Sequence, residues 1–393
     1  MTNVPTIIAD ENMPALELFS GLGEVRTVPG RPLPRAALAG ARVLLVRSVT
    51  RVDEALLAGS AVQFVGSATI GTDHVDLDYL ARAGIRFAHA PGCNAMAVAE
   101  YVLQTVLAWA LEHDRVLQRL RVGLVGLGNV GRNVAGLLEA AGCTVVASDP
   151  PQADAGVQTA VPLGTLEQVL ACDVISLHVP LTTAGPHPTH HLLDAARLAA
   201  LTPAQLLINT CRGAVIDNLA LQARLEAGQG PVTVLDVWEQ EPRVPPALLA
   251  AVWRGSPHIA GYSVEGKVRG TWMLYQALGQ WLGVDASRAM PQQAPVRVWD
   301  APVTSMADLL AVLRTAYRPE EDHRLLREAV GLPPEGGSRE VAVPLTDVTR
   351  GTHFDHLRKT YRVRHETAGL RVTGAVAPVW QAVLSRLGVV VPH

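Results

Sequence analysis

The 393-residue chain has only four cysteines, Cys93, Cys143, Cys172 and Cys211, too few and too scattered for a disulfide framework. None stands at C-x-x-C spacing, so neither a zinc site nor a thioredoxin-like site is expected, and no other metal site is anticipated. Lysine is nearly absent, with just Lys267 and Lys359, and the 33 basic residues face 36 acidic ones for a net charge of −3. Without a basic surplus, neither nucleic acid nor a membrane is an expected partner. Long uncharged runs are missing too. The longest stretch free of Asp, Glu, Lys and Arg, residues 174–193, contains Pro180, Pro186, Pro188 and four histidines, a loop beside a strand and not a membrane span. The opening MTNVPTIIADENMP shows no basic segment and no long apolar segment of a secretory leader. These absences predict a soluble protein of a reducing cytoplasm.

What is present is a rhythm. Through the first 260 residues short apolar runs alternate with helical periodicity, the pattern of βαβ units on parallel sheets. Strands are predicted at 5–9, 43–46, 64–66, 86–88, 122–125, 144–147, 174–177, 206–209 and 232–235, each continuous and β-branched-rich. Helices are predicted at 130–141 and 220–227. Two longer ones, 95–119 and 264–282, should carry the chain between two lobes with an active cleft between them. Residues 290–295 read as a linker. Beyond them the rhythm breaks into a small α+β module with an internal loop at 333–337 and a basic, aromatic stretch at 358–365, read as a face of that module. The expected fold class is α/β, with two doubly wound parallel-sheet lobes and a C-terminal α+β domain. The boundaries are 1–98 with 264–285, then 99–263, then 290–393.

GLGNVG at 126–131 is the strongest motif. A G-x-G-x-x-G alone is weak. Here the strand VGLV runs into it, a helix pattern follows, and a second strand ends at Asp149 about 20 residues on, which together make a dinucleotide fingerprint. Gly126 permits the turn, Gly128 lets backbone approach a pyrophosphate, and Gly131 lets helix pack on sheet. The amides of Asn129 and Val130 face the phosphates. Asp149 should bind ribose hydroxyls and repel a 2′-phosphate, with Pro150 and Pro151 next to it and no arginine, so NAD is the expected cofactor.

Three later segments follow strand ends: NTCRGAVIDN (209–218), LDVWEQEP (235–242) and SPHIAGYS (256–263). They supply an arginine fork for a carboxylate, a histidine to take a hydroxyl proton and a carboxylate to orient that histidine, the set required for hydride removal from a 2-hydroxy acid. Arg212, Glu241 and His258 are assigned these roles, with Glu239 and Asp236 competing for the carboxylate. His178 is read first as a loop cap, with a place bordering the cofactor pocket as the alternative, and His74 as nearer the substrate side; neither is assigned a catalytic role.

The order GLGNVG, CRG, DVWEQEP, PHIAG resembles the D-isomer-specific 2-hydroxyacid dehydrogenase family. That resemblance implies catalytic roles for Arg212, Glu241 and His258, and cofactor contacts at Thr210, Cys211, Asp236 and Gly261. ADENMP (9–14), VRSVT (46–50), ATIGTDH (68–74), APGCNA (90–95) and HIAGYSVEGKVRGT (258–271) are similar to one branch of the family, which oxidises 4-phospho-D-erythronate in vitamin B6 biosynthesis. The segments 316–333 and 354–366 resemble that branch's C-terminal dimerisation domain, which implies a homodimer. The likeness further implies substrate contacts at Ser48, Thr69 and Tyr262, a flavodoxin-like substrate lobe and a Rossmann NAD lobe. Arg47 and Lys267 are candidates for holding the phosphate. Two other readings stand beside this one: a different D-2-hydroxyacid dehydrogenase, of phosphoglycerate or glyoxylate type, or an NADH-sensing binding protein on the same fold.

Overall fold

Short β-branched runs build both main sheets, because a strand covered on each face can be apolar at every position. The computed structural model describes residues 4–291, 295–333 and 345–392. It divides the chain into two units, Met1–Ala95 with Tyr262–Ala294 and Met96–Gly261 with Pro295–His393.

In the first unit the strands are β1 (Thr6–Asp10), β2 (Glu24–Val28), β3 (Ala41–Val46), β4 (Phe64–Ser67) and β5 (Arg86–His89). All pair in parallel in the order β2-β1-β3-β4-β5, the flavodoxin-like arrangement. Alternate residues serve opposite faces. Ile7, Val43, Leu45 and Phe64 pack with Leu274 and Leu278 of the helix Val264–Leu282, while Ile8, Leu44, Val46 and Val65 pack with Leu57 and Leu80. That helix starts where the Ser263 hydroxyl accepts the Gly266 N–H and ends at Gly283 in the left-handed region, φ 68°.

In the second unit the main sheet comprises β6 (Arg121–Val125), β7 (Thr144–Ser148), β8 (Val174–Leu177), β9 (Leu206–Asn209), β10 (Val232–Leu235) and β11 (Arg254–Gly255). The order is β11-β10-β9-β8-β6-β7, all parallel. Because β6 lies between β7 and β8, successive connections leave it in opposite directions, and the crevice at their carboxyl ends is where such sheets bind ligands. Outside β7 a single bridge, Ala147 to Leu163, takes the place of a further strand.

The described residues past Pro295 contribute a short parallel ribbon, β12 (Arg297–Trp299) with β13 (Leu370–Val372), and four helices. They are the stretch read from the sequence, from residue 290 on, as a C-terminal α+β domain. Leu326, Val330 and Phe354 share one apolar core with Leu248 and Leu249, so this segment and the nucleotide lobe form one unit. Within the 358–365 stretch Lys359, Thr360 and Val363 are exposed, and other side chains turn inward. Tyr361 and Arg362 donate to buried Asp322, and Arg364 is itself buried. The helix expected over 95–119 ends at Glu112, since Asp114 turns into the left-handed region at φ 52° and a 3-10 turn, Leu117–Arg119, follows. Residues 292–294 of the expected linker and 334–337 of the expected loop lie outside the described residues. Among the described residues no helix is long and apolar enough to cross a membrane.

Candidate active site

The glycine turn leaves β6 and opens the helix Asn129–Ala140. Gly126 sits at φ 93° and its N–H donates to Ser148 O at 2.8 Å. A Cβ on Gly131 would lie 2.2 Å from Gly126 O, so only glycine lets this helix start against the turn. A Cβ on Gly128, in contrast, would meet no protein atom within 4 Å. This is an open approach to the first amides of a helix with no acidic residue in its first turn, including those of Asn129 and Val130.

Asp149 follows β7. Its carboxylate accepts the Leu127 N–H at 2.8 Å, the Gln152 N–H at 3.1 Å and the Gln152 side-chain amide at 2.6 Å. A carboxylate has about four acceptor positions, so three are taken and one is left. Beyond the ends of β8 and β9, both ring nitrogens of His178 and the Thr210 hydroxyl are buried with no hydrogen-bond partner among the described residues. His178 therefore does not cap a loop, and burial pushes its pKa down to about 3, leaving a neutral ring. Open space at Gly128 and buried polar atoms at the strand ends fit a dinucleotide with hydrogen-bonding groups of its own.

The loops after β9, β10 and β11 carry Arg212, Glu241 and His258, and the structure brings the last two into contact. His258 Nδ1 lies 2.8 Å from Glu241 Oε2, while the other Glu241 oxygen accepts the Trp238 N–H at 2.9 Å. Burial pushes the Glu241 carboxyl up. The His258 ring, the Arg358 guanidinium and the Trp238 N–H outweigh it and hold the group below the usual carboxylate range. Glu241 is thus ionised at neutral pH. Of its competitors, Glu239 accepts from His191 Nε2 at 2.7 Å and the Asn218 N–H at 3.2 Å. His190, His191 and Glu239 bring three potential metal-ligating atoms within 4.8 Å of one another. Buried Asp236 accepts from the Ser256 hydroxyl at 2.6 Å and from the amides of Ile259 and Ala260 at 2.8 and 3.0 Å. It shapes the turn on which His258 sits at φ 56°.

Arg212 is half-buried and donates to Cys211 O at 2.7 Å. Asn209 pins its loop by donating to Arg212 O at 2.9 Å and accepting the Cys211 N–H at 3.1 Å. The Cys211 thiol is buried and pushed up to about 11, so it is no nucleophile at neutral pH. Gly261 ends this segment at the boundary of the unit.

In the first unit Arg47 and Ser48 follow β3, and Thr69 follows the neighbouring β4. The Thr69 hydroxyl lies 2.7 Å from Ser67 Oγ and donates to Gly71 O at 3.0 Å. Ser67 Oγ in turn lies 2.9 Å from His74 Nε2. Two cations lie over the Tyr262 ring: Arg47 Cζ is 5.4 Å from its centroid and Lys267 Nζ 4.6 Å. The sequence singled out each cation; their convergence on one ring needed the fold.

Residues 99–260 match the family model described as D-isomer specific 2-hydroxyacid dehydrogenase, NAD binding domain. NAD is the cofactor, and the chain is an NAD-dependent oxidoreductase of the 2-hydroxyacid dehydrogenase class. Among solved structures, a protein from Thermus thermophilus is 28% identical, with a TM-score of 0.59 over 72% of this chain and 98% of that one. The D-lactate dehydrogenase of Aquifex aeolicus, complexed with NAD and lactic acid, shares the fold at 23% identity and a TM-score of 0.60, over 71% of this chain and 95% of that one. The erythronate-4-phosphate dehydrogenase of Marinobacter nauticus is 46% identical over 93% of this chain and 94% of its own. That of Pseudomonas aeruginosa is 46% identical over 97% and 98%. The chain belongs to the erythronate-4-phosphate dehydrogenase family.

Proposed function

We propose that the protein oxidises 4-phospho-D-erythronate to 2-oxo-3-hydroxy-4-phosphobutanoate, a step of pyridoxal phosphate biosynthesis. The observation that carries the reading is the His258–Glu241 pair at 2.8 Å on adjacent strand ends of the dinucleotide-binding sheet. Bound NAD supplies the hydride acceptor. The hydroxyl proton on C2 passes to Nε2 of His258, whose Nδ1 faces an ionised Glu241 that fixes the tautomer and stabilises the imidazolium. The Arg212 guanidinium binds the substrate carboxylate at two points, which orients C2. Ser48, Thr69 and Tyr262 contact the substrate, and the cations beside Tyr262, Arg47 and Lys267, take its phosphate. Cofactor contacts come from Gly126, Gly128, Asn129, Val130 and Gly131 at the pyrophosphate, Asp149 at the ribose, and Thr210, Cys211, Asp236 and Gly261 near the nicotinamide. The protein acts in the cytoplasm as a homodimer.

The test is NADH formation, followed by its near-ultraviolet absorbance, with 4-phospho-D-erythronate beside unphosphorylated erythronate and 3-phospho-D-glycerate. An oxoacid acceptor is included to recycle tightly held cofactor. Preference for the four-carbon phosphate is expected. Turnover of another hydroxy acid keeps the chemistry and removes the substrate, while NADH binding without any turnover turns the assignment to a sensor.

A further inference from the structure

His258 is carried by the stretch that follows β11, and β11 is a two-residue strand at the edge of the sheet with only β10 beside it. So short a ladder gives the loop little hold. Asp236 secures it from inside the sheet, and residues past Pro295 secure it from the other side. Before His258, the Gly255 N–H donates to Nδ1 of His323 at 2.8 Å, and Arg254 pairs with Glu320 at 2.8 Å, both partners on the helix Pro319–Ala329. After His258, Arg364 Nη1 donates to the carbonyls of Ile259 and Ala260 at 3.2 and 2.9 Å, and Nη2 reaches Ala97 O at 2.8 Å. Arg364 is 1% exposed, and the Tyr317 ring centroid lies 3.9 Å from its Cζ. A guanidinium buried this fully is costly unless hydrogen-bonded. Its two terminal nitrogens donate to backbone carbonyls on both the long helix Ala95–Glu112 and the His258 loop. Those carbonyls on the loop belong to the two residues immediately after His258, which itself holds a left-handed backbone, φ 56°, that a non-glycine residue keeps only when its surroundings impose it.

We propose that Arg364 and His323 are positioning residues for the oxidation, the two jaws of a clamp that keeps the His258 ring in line with Glu241. The C-terminal segment then has a task in turnover distinct from any role in assembly. The inference rests on His258 being the base.

The experiment compares full-length Arg364→Lys, His323→Leu and His323→Asn with wild type and with His258→Ala, measuring kcat, KM, NADH affinity by fluorescence, and thermal melting. A lysine keeps the charge but cannot reach three carbonyls, and leucine removes the acceptor for the Gly255 N–H, whereas Asn Oδ1 restores it. Displacing a catalytic group by about 1 Å costs up to about 100-fold, so kcat should fall about 10- to 100-fold in Arg364→Lys and His323→Leu, with NADH affinity kept within about twofold. His323→Asn should recover most of the loss. Wild-type kcat in both disruptive variants overturns the clamp, as does NADH affinity falling in step with kcat. If Arg364→Lys does not fold, the His323 pair decides. An inactive His258→Ala beside fully active clamp variants sinks the clamp alone; an active His258→Ala sinks the base and the clamp with it.

Discussion

A Cβ on Gly213 would lie 1.9 Å from the carbonyl carbon of Trp238. The loop carrying Arg212 and the loop leading to Glu241 therefore touch backbone to backbone, which explains why glycine follows the arginine. Asn218 reinforces the contact, accepting the Glu239 N–H at 3.2 Å and donating to Gly213 O at 3.3 Å. Gly213→Ala must push the two loops apart. The expected outcome is a kcat/KM lowered by about 100-fold or more, with a reduced melting temperature. Steady-state kinetics and a thermal melt check it, and near-normal kcat/KM would falsify the contact as a catalytic constraint.

Two substitutions separate the members of the dyad. His258→Ala removes the base and should lower kcat by about 100- to 10,000-fold with NADH affinity unchanged. Glu241→Gln keeps the shape but loses a charged hydrogen bond worth about 1.5–3 kcal/mol, so a loss of about 10- to 100-fold is expected. The milder effect should belong to Glu241; the reverse order in kcat would mean that His258 is not the base. Glu239→Gln, on the same loop, alters the bond to His191 and tests which carboxylate is meant.

Much of this arrangement was legible beforehand. Eight largely buried parallel strands announce themselves by short apolar runs, and the glycine fingerprint by its strand, helix and Asp149. What escaped has a physical reason. β2, Glu24–Val28, is an edge strand whose residues are mostly exposed, so it lacks an apolar run. β11 is two residues long, and β12 and β13 are three-residue strands far apart in sequence. Arg364 reads as one more surface cation in a basic stretch, because nothing local says that its neighbours will bury it. The same holds for His178, whose isolation depends on what packs around it.

Asp149 joins cofactor choice to loop geometry. Its carboxylate holds the Leu127 N–H inside the glycine turn, so Asp149→Ala would disturb the turn as well as the charge. Asp149→Asn is the cleaner variant, retaining an acceptor while removing the repulsion of a 2′-phosphate. The ratio of kcat/KM with NAD to that with NADP should fall about tenfold or more, the equivalent of about 1.4 kcal/mol. A ratio equal to wild type would remove Asp149 from the selection of NAD.

The two cations over the Tyr262 ring bear on substrate recognition. If Arg47 and Lys267 take the phosphate, each alanine variant loses a charged hydrogen bond of about 1.5–3 kcal/mol, raising KM for 4-phospho-D-erythronate about 10- to 100-fold. Unphosphorylated erythronate should be turned over as poorly as before. An equal loss on both substrates would place these side chains in structure and not in phosphate recognition.

Glu100 makes stability depend on pH. It is 0% exposed on the long helix Ala95–Glu112, with Oε1 accepting the Thr367 N–H at 2.7 Å. Burial, then the neighbouring Glu366, push its carboxyl from the ordinary 4.5 up to about 8, with Arg364 acting in the opposite sense. Between those two values the folded chain holds a proton that the unfolded chain has released. Stability must therefore fall as pH rises through that window, by up to about 1.4 kcal/mol per pH unit from this group, and level off above it. Glu100→Gln removes the titration while keeping an acceptor for Thr367. Chemical denaturation across the window should show a flatter profile for the variant and, at its upper end, a more stable protein than wild type. Parallel profiles would mean that Glu100 remains ionised in the fold, with Arg364 and not a proton balancing its charge.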